Sequence, residues 1–193
     1  MLKNFMFGYQ DIIDKYYATQ PELRRIYMLH CRSVADKALA IARRLHLPVD
    51  TADVEAAAML HDIGIVLTDA AGICCHGTQP YLAHGRLGAD LLRGEGAPEV
   101  YARVAERHTG AGLTPEEAAA IGAGILPPDR SYLPETLLER LVCYADKFYS
   151  KSGDMQEKTL ERVRASMARF GADSLRRFEA LHREFGVESG SPS

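Results

Sequence analysis

The stretch Ala56-Ala57-Ala58-Met59-Leu60-His61-Asp62-Ile63-Gly64 constrains this chain more than any other. The residues before His61 are all Ala, Met or Leu, so they predict a helix packed on most of its sides. Ending such a helix in a histidine and an aspartate is costly, because both side chains lose water and need partners. A metal ion would supply one, since imidazole and carboxylate are common ligands of first-row divalent metals. The alternative is a helix C-terminus at which His61 meets the dipole and Asp62 bonds to a neighbouring loop. The pair alone leaves both readings open.

The surrounding pattern is helical. Residues 1 to 18, with Phe5, Phe7, Tyr9, Ile12, Ile13, Tyr16 and Tyr17, predict a short aromatic helix lying across the main body. Pro21 and Glu22 suit the first turn of a long helix. Along it, Leu23, Ile26, Tyr27, His30, Val34, Ala38, Ile41 and Leu45 recur at three- and four-residue intervals, which turns His30 inward. Asp50 or Thr51 caps the helix that runs to His61. Residues 65 to 83 read as a long loop without β-structure, of the kind that is usually functional. His84 opens the next helix, and His108 closes the one begun at Pro98. Thr114-Pro115-Glu116-Glu117 forms a capping box. A second long loop, 122 to 134, is expected to cover a site. Pro134 opens a helix with Asp146 among its apolar positions, and Asp154 opens a charged tail whose helices form a solvated outer layer.

Composition narrows the function. The 193 residues fit a single all-α domain, with a core at about 20 to 150 and helical appendages at both ends. A formal net charge of -3 argues against a nucleic-acid polymer as partner and leaves room for a local basic pocket. No apolar run approaches a membrane span and no signal peptide is evident, so a cytoplasmic protein without membrane partners is expected. The cysteines Cys31, Cys74, Cys75 and Cys143 lack CxxC spacing and read as free thiols. Cys75, beside His76, is the best placed of them to reach a metal.

His30, His61, Asp62, His84, His108 and Asp146 are more histidines and carboxylates than a small helical core tolerates without a shared purpose. A dinuclear site accommodates them: Asp62 bridges two ions, His30, His61 and Asp146 complete one, and His84 and His108 complete the other. In order and helical context, His30, His61-Asp62 and Asp146 match the H…HD…D signature, and the chain resembles the HD-domain metal-dependent phosphohydrolase superfamily. His61-Asp62-Ile63-Gly64 is its HDIG variant. His84 and His108 fall where dinuclear members, such as the symmetrical dinucleoside-tetraphosphate hydrolases, carry two further histidines. The segment Arg107-His108-Thr109-Gly110-Ala111-Gly112 departs from the cyclic-dinucleotide branch, which has a paired His and a GYP triplet there, and this argues against cyclic di-GMP hydrolysis.

The resemblance implies an all-α HD-domain bundle, two divalent ions and hydrolysis of a small phosphate ester, a nucleotide or phosphodiester, by a metal-bridging hydroxide. Several imidazoles favour Mn, Fe, Co, Ni or Zn. Asp62 has the central catalytic place. Lys147 and Arg107 are candidates to neutralise charge at phosphorus, and His76 and Lys147 to contact substrate. Two other readings stand beside hydrolysis: a di-iron oxygenase of the same fold, resembling inositol oxygenase, and a non-catalytic metal- or nucleotide-binding sensor. An exposed aromatic N-terminal helix would offer a homodimer surface.

Overall fold

The computed structural model describes residues 8–187. Its architecture is all-α, and the first elements follow the apolar periodicity of the sequence. Helix α1 (Tyr9–Tyr17) buries Ile12, Ile13 and Tyr17. Of its aromatic residues Tyr17 is buried while Tyr9 and Tyr16 stay partly accessible; Phe5 and Phe7 lie outside the described residues. Helix α2 (Pro21–Arg44) starts with Pro21 in its first turn and buries His30 in the middle of its apolar stripe. Asp50 caps α3 (Thr51–Leu60) by accepting from the Ala52 amide at 2.7 Å. Because α3 is apolar on nearly every side, it is enclosed: Val54 and Ala56 to Leu60 are all buried.

The segment after Asp62 is more ordered than a loop. A 3-10 turn over Ile63–Leu67 leads into β1 (Thr68–Ala70), and the chain reverses through Cys74 in the left-handed region (φ 59°) to reach β2 (Cys75–His76). Strand β2 pairs antiparallel with β1, and β3 (Gln79–Pro80) pairs parallel on its other side. The sequence reading missed this sheet because each strand is two or three residues long, too short for an alternating pattern. The physical reason for it is that a backbone passing over a core must pair its amides and carbonyls.

Another 3-10 turn, Tyr81–Ala83, delivers the chain to α4 (His84–Gly94), which packs on α5 (Glu99–Arg107) and on the 3-10 turn after Asp62. Thr114 and Glu117 form the expected capping box at α6 (Pro115–Ile121). Loop 122–134 folds back on α6, where Leu126 and Tyr132 join Ala118 in a small separate core. Helix α7 (Leu137–Asp146) starts three residues later than Pro134, at a second capping box made by Thr136 and Glu139. It packs against α2, α3, α5 and a later helix, α9 (Ala172–Phe185). Helix α8 (Leu160–Ala168) begins at a Thr159 cap and not at Asp154. Nor is the C-terminal region only a solvated layer: α9 (Ala172–Phe185) buries Phe178, Leu181 and Phe185, with Phe178 and Phe185 beside Tyr144 of α7. Among the described residues, no helix is long and apolar enough to cross a membrane.

Candidate metal centre

The ends of α3, α5 and α7, the start of α4 and the middle of α2 converge on one buried point. There the structure brings together all six residues expected at a dinuclear site, each at most 8% exposed. They form two groups that share Asp62: His30, His61, Asp62 and Asp146, and Asp62, His84 and His108. Asp62 Oδ2 lies 3.0 Å from His30 Nε2 and 3.2 Å from His61 Nε2. Its other oxygen, Oδ1, lies 3.3 Å from His108 Nε2 and 3.5 Å from His84 Nε2. One carboxylate therefore presents one oxygen to each group. Asp146 Oδ1 completes the first, 3.1 Å from His30 Nε2 and 3.4 Å from His61 Nε2.

Three of the imidazoles are aimed by their own stretch of chain. The Nδ1 atoms of His61, His84 and His108 lie 2.6, 2.7 and 2.7 Å from the carbonyl oxygens of Ala58, Tyr81 and Ala105, each three residues upstream. A carbonyl only accepts, so Nδ1 carries the proton and Nε2 points into the site, the arrangement that second contacts impose on metal-binding histidines. At the same time His84 Nε2 and His108 Nε2 stand 3.0 Å apart, and His30 Nε2 and His61 Nε2 3.3 Å. With Nδ1 of both His84 and His108 protonated, their Nε2 lone pairs face each other and repel unless a cation lies between them. Ligand atoms about 2.1 Å from one ion, at tetrahedral to octahedral angles, stand roughly 3.0–3.4 Å apart, close to the 3.0–3.5 Å contacts within the two groups. Both Asp62 oxygens are also buried without a well-directed hydrogen bond, although ion-pair contacts surround them. The donor set thus fits two divalent ions, the first group offering four ligands and the second three.

The protonation states of the two groups differ. Burial is the largest influence on His61 and opposes charging it, but Asp62, Cys31 and Asp146 together outweigh burial and raise its pKa well above the usual value. For Asp62 burial works upward, and Lys151 and His61 overcome it, so the carboxylate stays ionised. His84 is pushed down to about 3, by burial first and by neighbouring His108 second. Burial likewise lowers His108. At neutral pH the second group is therefore ready to bind, whereas the first must lose the His61 proton. Loading both groups at pH 7 is expected to release about one proton per chain, with affinity falling as the pH drops. Calorimetry in buffers of different ionisation heat reads this directly, and uptake without proton release would contradict a charged His61.

The other candidates fare differently. Lys147 Nζ is held by the His108 carbonyl oxygen and by Asp146 Oδ2, both at 2.8 Å, in a 7% exposed position. It braces two ligands from this buried position, which takes two of its three N–H donors. Arg107 turns away to Glu135 and Glu139, at 2.7 and 3.1 Å, because Glu139 is buried and needs cations. His76 is exposed on β2 and belongs to neither group. Nor does Cys75, whose thiol burial pushes up to about 11.

The cation that does reach the centre is Lys151, which sequence reasoning missed. Its Nζ lies 2.6 Å from Asp62 Oδ2 and 5.9 Å from the centre of the Tyr81 ring. It sits five residues beyond Asp146 in the polar run Tyr149-Ser150-Lys151-Ser152, past the end of α7, where no helical spacing points inward. A cleft of about 410 Å³, lined by Ala70, Ile73, Tyr81, Ser150, Lys151 and Ser152, opens beside it. Its walls come from segment 65–83, as expected, and from 150–152; loop 122–134 is absent from its lining.

Comparison with known proteins agrees with this geometry. The HD domain family model matches residues 27–150, a span that contains all six residues. A tRNA (cytidine(56)-2'-O)-methyltransferase of Thermoplasma volcanium is 34% identical over 177 residues, 91% of this chain but 45% of the relative. An uncharacterised protein of Methanocaldococcus jannaschii is 41% identical over 120 residues, 61% of this chain and 62% of the relative. The chain thus spans less than two thirds of these relatives' length. The crystal structure of the L. monocytogenes phosphodiesterase PgpH HD domain has the same fold, with a TM-score of 0.54 at 16% identity over 88% of this chain and 94% of that one. The same domain in complex with cyclic-di-AMP aligns over 95% of this chain and 99% of that one, again with a TM-score of 0.54 at 16% identity. On the match to residues 27–150, the chain belongs to the HD domain family.

Proposed function

We propose that this protein is a metal-dependent phosphohydrolase acting on a small phosphate ester, a nucleotide or phosphodiester. The observation that carries this reading is Asp62, with one oxygen directed to each of two histidine groups and an open cleft beside it. When bound there, two divalent ions supply an activated water and neutralise charge at phosphorus.

The chain's own residues do the rest. His30, His61 and Asp146 would hold one ion with Asp62, and His84 and His108 would hold the other with the same carboxylate, the smaller donor set suiting it to take part in catalysis. Lys151 faces Asp62 and the cleft at once, so its ammonium is placed to bind a phosphate oxygen and to offset charge developing in the transition state. Tyr81 stacks on His84, with ring centres 4.8 Å apart, and supplies an aromatic wall to the cleft. Lys147 keeps Asp146 and the end of α5 in register.

The test is elemental analysis of the purified protein, run with a phosphate-release screen over nucleotides, sugar phosphates and bis(p-nitrophenyl) phosphate in Mn, Co or Ni. About two ions per chain together with phosphate release is the expected result. Two irons, no phosphate release and oxygen-dependent product formation would replace this reading with an oxygenase. Tight nucleotide binding without any turnover would make the protein a sensor.

A further inference from the structure

A second groove, of about 500 Å³, adjoins the cleft, and Ser150 and Ser152 line both. Lys151, between those serines in sequence, reaches Asp62, so the segment 150–152 joins centre, cleft and groove. Its far wall carries Lys158, Arg162 and Arg169, with Asp154 the one carboxylate lining it. This concentration of cations runs against the chain's formal net charge of -3.

The arginines here also differ from most others in the molecule. Arg86, Arg93, Arg103, Arg130, Arg140 and Arg177, for example, are each paired with a carboxylate. The guanidinium groups of Arg162 and Arg169 make no hydrogen bond or ion pair among the described residues. Lys158 is half-buried, and its Nζ donates to the Lys147 carbonyl oxygen at 3.0 Å, which fixes the groove's inner end beside the residue that follows Asp146.

We propose that this groove binds a second phosphate of the substrate, beyond the one held at the centre. The substrate would then be a nucleotide bearing at least two phosphates, joined either as an oligophosphate or through a phosphodiester link. The inference takes from the phosphohydrolase reading only that the first phosphate sits at Asp62 and Lys151. Ser150 and Ser152 hydroxyls line the passage between the two positions, and Arg162 and Arg169 meet the outer phosphate with planar, multi-donor groups.

The test is equilibrium binding to the metal-loaded protein of three probes that resist hydrolysis: orthophosphate, methylenediphosphonate, and a 5'-phosphorylated, phosphorothioate-linked trithymidylate. Wild type should bind at least one of the larger probes about tenfold or more tightly than orthophosphate. The exposed double substitution Arg162→Ala/Arg169→Ala should abolish that gain and leave orthophosphate binding unchanged. A gain for the diphosphonate alone identifies an oligophosphate, and one for the trithymidylate alone a phosphodiester; both support the groove. Equal affinity for all three probes, or a gain that survives the double substitution, overturns it. Because no turnover is measured, a gain lost in the variant alongside a failed phosphate-release screen would keep the groove and discard the hydrolase.

Discussion

Asp62→Ala is expected to strip both ions from the protein and to lower kcat/KM by more than about a thousandfold, the scale of losing a central electrostatic element of a water-excluded site. The two groups share no other ligand. Without Asp62 the second group retains only His84 and His108, and the first loses the oxygen between His30 and His61. Stability should move as well. Lys151 Nζ, 2.6 Å from Asp62 Oδ2 on a side chain only 13% exposed, would lose its nearest counter-charge, at a cost of about 2 kcal/mol. Asp62→Asn separates the two effects, since it keeps the volume and one acceptor oxygen while losing the charge. Metal content by elemental analysis, thermal melting and kcat/KM should be read on both variants. One full equivalent of metal surviving in Asp62→Ala would mean that the groups bind independently and that the shared carboxylate is no bridge.

The second large effect is expected at a residue that touches no substrate. A Cβ on Gly64 would overlap the His84 carbonyl oxygen and the Gly88 amide nitrogen, and would stand 2.8 Å from Gly88 Cα. All three are backbone atoms and cannot rotate aside. Gly64→Ala must therefore push the 3-10 turn after Asp62 away from the first turn of α4, which carries His84. Overpacking of this kind should cost about 3 kcal/mol and separate His84 from Asp62 Oδ1, so the second ion should be lost before the first. Gly72→Ala is the matched control, because a Cβ there meets nothing within 4 Å. Urea unfolding and metal stoichiometry measure the two consequences. A Gly64→Ala protein of wild-type stability with both ions bound would show that the contact between the turn and α4 is not what positions His84.

The contrast between what the sequence showed and what it hid has a physical basis. His30 was legible because a stripe of apolar residues at three- and four-residue spacing turns it inward whatever α2 packs against. His61, Asp62 and Asp146 were legible because polar groups at the ends of apolar helices need a reason to be there. The expectation that Lys147 and Arg107 neutralise charge at phosphorus rested on proximity in sequence to a ligand, which says nothing of the competing partners, the His108 carbonyl and Glu139, that arrive from other helices. Lys151 was invisible for the converse reason. Its position depends on how the chain turns after α7, and a polar run past a helix end has no periodicity to read. The three short strands escaped because their pairing is a response to burial of backbone rather than to side-chain pattern.

The three carbonyl contacts that aim His61, His84 and His108 each close over three residues of their own chain. The direction of these imidazoles is accordingly inherited from a short local segment and needs no help from distant parts of the fold. The walls of the cleft and groove, by contrast, are drawn from segments 70–81 and 150–169, which lie far apart in sequence. Reaction centre and recognition surface are thereby largely separable, joined at Tyr81, which stacks on His84, and at Lys151, which meets Asp62. Substitutions that reshape the walls can change what is recognised without disturbing the aim of the imidazoles, which gives such a scaffold room to diversify its substrates while conserving its chemistry.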